Sequence, residues 1–358
     1  MNLSDIALLR LKSQQICCSQ FSSPSELVSY MGALQAQDFA WSKWAVGLRL
    51  TDSSESQIEN AISESEILRT HVLRPTWHIV SGQDINWMLD LTAPQIKNTA
   101  NAHHRALGLT PEILEKSAHI IKQALLGHKS LSRDELNSHL EAAGIITTDQ
   151  RSAHILFSME LEQLLCSGTV KKKQHSYALL AERVEQKERL SSDDAVKKLA
   201  AKYFHSHGPA TVEDFSWWSG LNLTKARRGL ELASADLQSF TLSNSVYWFS
   251  KAITDVEKVS GAFLLPAYDE FIISYKDRSA ALPSAHLQKV LNKNGIFWPV
   301  VVIDGQVHGT WARTIKKDRV NINVTGFRSF NLKQKKLIEK AASQFGGFIG
   351  MEAELLFV

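Results

Sequence analysis

The periodicity of apolar positions changes once along this chain. Up to about Leu232 apolar residues recur at helical intervals, and beyond about Leu237 they fall into short alternating runs. Ile113, Ala118, Ile120, Ile121, Ala124 and Leu125 form one stripe and predict a helix starting near Pro111. Ser132 followed by Glu135 reads as a capping box for a second helix. That helix is expected to stop at Ala143-Gly144, where glycine suits the helix end. A third helix is expected over about 149–166, followed by two strands joined by a basic turn over 168–180. The same order then repeats. Ser192–His205 reads as a first helix, Thr211 with Asp214 caps a second, and Leu223–Ala233 is a third; Leu237–Phe249 reads as strand, turn and strand. A less regular copy is expected at the N-terminus. Its first helix would be Leu3–Ile16, its second would open at Ser23-Pro24, and Arg74–Val80 would supply a wing strand. Helix, helix, helix and two-strand wing is the winged-helix layout.

The C-terminal runs look different. Ser245–Ser250, Ala262–Leu265 and Phe297–Ile303 read as strands, and Asp304-Gly305 is a strong hairpin signal before Gln306–Trp311. The expected fold class is therefore α+β: three tandem winged helices followed by a β-rich C-terminal domain. The expected boundaries are 1–100, 101–185, 186–255 and 256–358.

Composition narrows the picture only slightly. Apolar residues at 44% and charged residues at 22% are ordinary globular values. No run approaches the roughly 18 apolar residues of a membrane helix, so no membrane partner is expected. Met1–Ile16 lacks the compact apolar stretch of a signal peptide. The three cysteines, Cys17, Cys18 and Cys166, form no metal spacing and no disulfide framework, which points to a reduced, cytoplasmic setting. A net charge of +3 means that any nucleic-acid surface must be local. Lys171, Lys172 and Lys173 in the second wing, and Lys225, Arg227 and Arg228 in the third unit, are the candidate phosphate contacts. The acidic stretches Asp52–Glu66 and Ser192–Asp194 are expected on the opposite face.

The chain has no phosphate loop, no dinucleotide fingerprint, no zinc-protease helix and no nucleophile elbow, so no metal or cofactor is expected. Two segments remain. Gln35 and Gln37 flank Ala36, and in an extended backbone residues i and i+2 project to the same side. Paired amides would hold a water in a fixed orientation without deprotonating it strongly. Such a pair suits only a good leaving group; helix-end capping is the plain alternative. In the second segment, Arg69 and His71 would share one strand face, and Arg74, Thr76 and His78 the other. Arginine and histidine beside Trp77 suit phosphate and base contacts. A core strand with satisfied histidines fits the same spacing.

Together these segments resemble AlkZ-like bacterial DNA glycosylases, a group of winged helix DNA-binding domain-containing proteins. The match rests on Leu34-Gln35-Ala36-Gln37-Asp38 and on Thr70–His78. Leu264–Glu270 and Val302–Trp311 add to it, and the resemblance spans about residues 3–355. It implies tandem winged helices with a barrel-like C-terminal domain, C-shaped around duplex DNA. It also implies that Gln35 and Gln37 are catalytic, as the Gln-Φ-Gln branch of the family has an aliphatic Φ between two glutamines; a sister branch has Gln-Φ-Asp. The implied reaction is hydrolysis of the N-glycosidic bond of an alkylated base such as an N7-alkylguanine, including crosslinked ones, by a monomer without lyase activity. The repeats alone also fit a non-enzymatic winged-helix regulator, and the glutamine pair is what separates the two readings.

Overall fold

A computed structural model describes residues 1–185, 189–253 and 261–358. The expected domain boundaries at 186 and 255 adjoin or lie in the intervening segments, outside the described residues. Helix α1 (Leu3–Ser13) precedes a recurring unit. In its first instance the order is α2 (Pro24–Met31), β1 (Leu34–Gln35), α3 (Phe39–Gly47), α4 (Glu55–Ser63), β2 (Ile67–His71) and β3 (Trp77–Ser81). A long helix, α5 (Ile85–Ala106), leads to the second instance: α6 (Pro111–Leu125), α7 (Arg133–Ala142), α8 (Arg151–Leu161), β4 (Leu165–Ser167) and β5 (Tyr177–Leu179). After the short α9 (Leu180–Arg183), the third comprises α10 (Ser192–His207), α11 (Val212–Ser219), α12 (Leu223–Ala233), β6 (Leu237–Leu242) and β7 (Ser245–Ser250). The C-terminal part contains β8 (Ala262–Leu265), α13 (Glu270–Ile273), α14 (Leu287–Val290), β9 (Val300–Ile303), β10 (Gln306–Ile315), β11 (Arg319–Gly326), α15 (Leu332–Ile349) and β12 (Glu352–Phe357).

The three units share one further detail. A residue between the first and second helices bridges to the last strand of the unit's own hairpin. Leu34 and Gln35 pair with Ile79 and His78, Leu131 with Tyr177, and Ala210 with Trp248. The backbone just before each second helix is thereby stitched to the hairpin. Polar caps then start those helices: Asp38 for α3, Ser132 for α7 and Thr211 for α11 each accept from first-turn amides.

This order corrects the expected first copy. Its first helix is α2, not Leu3–Ile16, and α3 and α4 follow. Helix α1 instead places Ala7 and Leu11 in a core with Leu265, Phe271 and Val302 of the C-terminal part. Pro94 also falls inside α5 and not at a helix start. The C-terminal part is less purely β than expected, because α15 packs along its sheet. That sheet runs β12-β11-β10-β9-β8 as a half-barrel, parallel only between β11 and β12.

The cores do not respect the unit boundaries. Trp44 of α3, Trp311 of β10 and Phe345 of α15 sit in one buried cluster, with ring centroids 5.2–5.3 Å apart where they face. Gly47 makes this approach possible, since a Cβ there would lie 2.3 Å from the Phe348 ring. Arg49 adds a polar tie. Its guanidinium donates to Asp269 at 2.8 and 2.9 Å, and both side chains are fully buried.

Candidate functional site

The glutamine pair lies where one helix has just ended and the next has not begun. Helix α2 stops at Met31, and Gly32 turns the chain with φ +80°. The backbone then runs extended. Gln35 pairs with His78, and the Ala36 amide donates to the Trp77 carbonyl at 2.7 Å. Asp38 ends the segment by accepting from the Ala40 and Trp41 amides of α3 at 2.9 and 3.0 Å. Ala36 is fully buried, Gln35 half-buried and Gln37 exposed. Alternation along an extended chain produces that pattern, with the small residue turned into the core.

Gln35 is gripped at both ends. Nη2 of Arg74 donates to its side-chain Oε1 at 2.9 Å. Its backbone N–H donates to Oε1 of Glu270 at 2.6 Å. Glu270 comes from the C-terminal part and is buried. Its Oε2 accepts from Nε1 of Trp218 at 3.1 Å and from the Ser274 hydroxyl, with Nε2 of His207 3.7 Å away. Burial alone would push this carboxyl up. The contacts from His207, Ser274 and His78 outweigh it and bring the pKa down to about 2, so Glu270 is ionised.

His78 stands opposite Gln35 in the sheet and is fully buried. Its Nδ1 lies 2.9 Å from the Thr76 carbonyl, which requires that nitrogen to carry the proton. Nε2 is then left as an acceptor, and among the described residues it meets no partner. Nε of Arg74 and the Thr76 hydroxyl are likewise buried without a partner. Burial, reinforced by Arg74, lowers the His78 pKa to about 3, so the ring is neutral.

Arg69 and His71 take a different place from the one expected. They share a sheet face with Trp77 and Ile79, behind the glutamine segment. Both are buried, at 6% and 9% exposure, so neither offers its head to DNA at the surface. Nε of Arg69 donates to the Ala36 carbonyl at 2.9 Å, and the guanidinium lies 3.9 Å over the Trp77 ring. His71 pairs through Nδ1 with Oε2 of Glu160, which is fully buried. Burial lowers the His71 pKa to about 3 and raises that of Glu160, so the pair holds its proton as a neutral unit. These residues brace the backbone of the Gln35–Gln37 segment from behind. His78 is fully buried as well, so its expected direct contact is corrected in the same way. Arg74 and Thr76 keep partial exposure in the loop between β2 and β3, where Leu73 adopts φ +64°.

The basic clusters divide. Lys171 donates to the Ser130 carbonyl and Lys173 pairs with Glu55 at 2.6 Å, whereas Lys172 is exposed at the turn. Arg228 pairs with Asp193 at 2.7 Å and Glu231 at 3.0 Å, while Lys225 and Arg227 project from α12. The expectation of acidic stretches on the far side is thus corrected at two points. Glu55 and Asp193 sit directly against cations assigned to the DNA face.

Glu270, Trp218, His207 and Glu160 join the site without having been expected there. Only Glu270 lay in a quoted motif, and its signal was a carboxylate pair, Asp269-Glu270, directly after a strand end. Among the described residues no group of His, Cys, Asp and Glu is arranged to hold a metal ion. Nor is any described helix long and apolar enough to cross a membrane.

Three comparisons with known proteins bear on this site. The family described as DNA glycosylase AlkZ-like matches residues 28–348. The interstrand DNA cross-link repair glycosylase of Streptomyces sahachiroi is 25% identical over 345 residues, covering 90% of this chain and 89% of that protein. The solved structure of Streptomyces sahachiroi DNA glycosylase AlkZ superposes with a TM-score of 0.82 over the full length of both chains, at 22% identity. The last of these speaks to the fold alone.

Proposed function

The chain belongs to the AlkZ-like DNA glycosylases, and from that premise we propose that it hydrolyses the N-glycosidic bond of cationic, alkylated bases of the N7-alkylguanine type, including those in interstrand crosslinks. A DNA repair glycosylase is what the family establishes. The finer reading rests on one observation: an amide pair at the surface, one member fixed by a cation and the other free to meet substrate.

The chemistry follows from the leaving group. Alkylation at N7 leaves a positive charge on the purine. When the C1′–N9 bond breaks, its electron pair moves onto the base and neutralises that charge, so no general acid is needed. The sugar becomes electron-poor at C1′. The carbonyl of Gln37 stabilises that developing charge by its dipole. Gln35 has its carbonyl engaged by Arg74 but keeps a second lone pair for a water. Aligned between the two amides, the water adds its oxygen to C1′ and its proton passes to solvent. No Schiff base forms, and the enzyme is monofunctional.

In this reading the three repeated units are winged helices, α2–β3, α6–β5 and α10–β7, which grip double-stranded DNA together with the half-barrel in a C-shaped monomer. Lys172, Lys225 and Arg227 are its phosphate contacts, and the setting is the cytoplasm, at the nucleoid. The test is direct. Duplex DNA carrying N7-methylguanine or a nitrogen-mustard crosslink is incubated with the protein, and abasic sites are counted. Wild type should release the base, and Gln35→Ala and Gln37→Ala should each abolish most of that release. No release from any alkylated duplex refutes the substrate; release that survives both substitutions refutes the site.

A further inference from the structure

Beside Gln37 a cavity of about 430 Å³ opens between the glutamine segment and strand β10 of the half-barrel. Gln37, Asp38, Trp41, Tyr268, Trp298 and Arg313 line it. Clefts of roughly 300–1,000 Å³ are the usual size for small-molecule sites. Trp298 is 48% exposed, an unusual state for so large an apolar side chain. Tyr268 is held with φ +59°, a backbone region that few residues other than glycine adopt without support.

We propose that this cavity is a base-recognition subsite that takes the guanine ring of an N7-alkylated nucleotide. The proposal rests on the glycosylase reading of Gln37 and adds residues to it. Three observations carry it. The walls are flat aromatic rings, and bases stack on such rings whatever their sequence. The Arg313 guanidinium already lies 3.8 Å over the Trp41 ring, so this wall accepts a planar cation. Lastly, the polar groups match one base. The Watson–Crick edge of guanine presents O6 as acceptor beside two N–H donors. Arg313 supplies only donors, and Asp38 only acceptors. One Asp38 oxygen is used by the Ala40 and Trp41 amides, which fixes the carboxylate and leaves a second oxygen for the base. An adenine edge presents the opposite order, an amino donor where Arg313 needs an acceptor. Alkylation at N7 leaves O6 and the two donors intact, so the recognition survives the damage. It also places the cationic ring against the exposed Trp298 and near a carboxylate.

The test uses the full chain and two free bases, 7-methylguanine and 3-methyladenine. Each is titrated while tryptophan fluorescence is followed, for wild type, Trp298→Ala and Arg313→Gln. Wild type should bind 7-methylguanine, and Trp298→Ala should bind it about tenfold more weakly, as loss of one stacking ring predicts. Arg313→Gln should lose the preference for 7-methylguanine over 3-methyladenine. Trp298 is half-exposed, so its removal leaves the fold intact, which a thermal melt verifies. Equal binding by wild type and Trp298→Ala overturns the proposal, as does a wild type that binds 3-methyladenine as tightly. Base excision measured in parallel separates the two claims. Excision with no base binding through Trp298 removes the subsite and leaves the glycosylase reading standing. Base binding through Trp298 without any excision supports the subsite and removes that reading of Gln37.

Discussion

Arg74 decides which way the Gln35 amide points. A guanidinium can only donate, so the atom 2.9 Å from its Nη2 must be the amide oxygen, and the NH₂ group faces the other way. Gly220 keeps this contact possible. A Cβ there would lie 3.3 Å from Cγ of Arg74 and 2.6 Å from the Leu73 carbonyl. Arg74→Ala removes a hydrogen bond to a charged group, a contact of about 1.5–3 kcal/mol. The excision rate should fall roughly 10- to 100-fold, with DNA affinity nearly unchanged. Single-turnover excision of N7-methylguanine alongside a binding titration measures both. A variant that loses affinity and keeps its rate would make Arg74 a phosphate contact instead.

Acid should weaken the fold in two steps. His78 is held by burial at a pKa of about 3, against an ordinary 6.5. Below about pH 6.5 the unfolded chain takes up a proton on this ring and the folded chain does not, so stability rises with pH in that window and falls as pH drops toward 3. The slope is about 1.4 kcal/mol per pH unit for this histidine; His71 adds none, because the proton it gains on unfolding is the one Glu160 gives up. Glu270, lowered from 4.5 to about 2, contributes stability that is present above 4.5 and is lost as pH falls through about 2. Urea melts at pH 7, 6 and 5 should show the histidine slope, and His78→Gln should flatten it by one proton. An unchanged slope in that variant would mean that the His78 ring titrates normally.

How far the sequence carries depends on the range of each contact. Caps and turns are local, so Ser132, Thr211 and Asp304-Gly305 placed their elements correctly. The course at Gln35 is local too, but the sequence left an extended backbone and helix-end capping both open, and the structure decides it through Gly32, which ends α2 at Met31. Helix α1 was also legible as a helix, but periodicity does not say which surface a stripe will cover, and α1 packs on the C-terminal part. The grip of Glu270 on Gln35 spans 235 residues, and nothing near either residue announces the other. Charge sums failed in a related way. They count Glu55 and Lys173, or Asp193 and Arg228, without showing that they touch. Helix α15 was missed although Ile338, Ala341, Ala342 and Phe345 carry a helical stripe, because the strands around it dominated the reading.

The Arg49–Asp269 pair joins the first unit to the C-terminal part and stands one residue from Glu270. Its guanidinium also donates to the Ala45 carbonyl at 2.8 Å and to Gln14 at 3.0 Å. Arg49→Met strands a buried carboxylate, a change that typically costs about 3–5 kcal/mol. Arg49→Met combined with Asp269→Leu should recover most of that loss, since neither charge then stays buried alone. Excision by the double variant should remain low, because the turn that aims Glu270 at Gln35 loses its anchor. Urea midpoints report the first effect and turnover the second. Full activity in the double variant would show that Glu270 needs no help from its neighbour.

The division of the basic residues makes a last, quantitative prediction. Lys225 and Arg227 are exposed on α12, whereas Arg228 spends its charge on Asp193 and Glu231. Each cation that neutralises a phosphate contributes about −0.9 to the slope of log K against log salt. Lys225→Ala and Arg227→Ala should each reduce the magnitude of that slope by about one, and the double variant by about two. Arg228→Ala should leave it nearly unchanged and shift the melting temperature only slightly, since a solvent-exposed ion pair is screened by water and salt. The same contrast applies on the second hairpin, where Lys172→Ala should flatten the slope and Lys173→Ala, already paired with Glu55, should not. Binding isotherms on undamaged duplex DNA at four salt concentrations suffice. Equal slopes for all six variants and wild type would move the DNA-binding surface away from both α12 and the second hairpin.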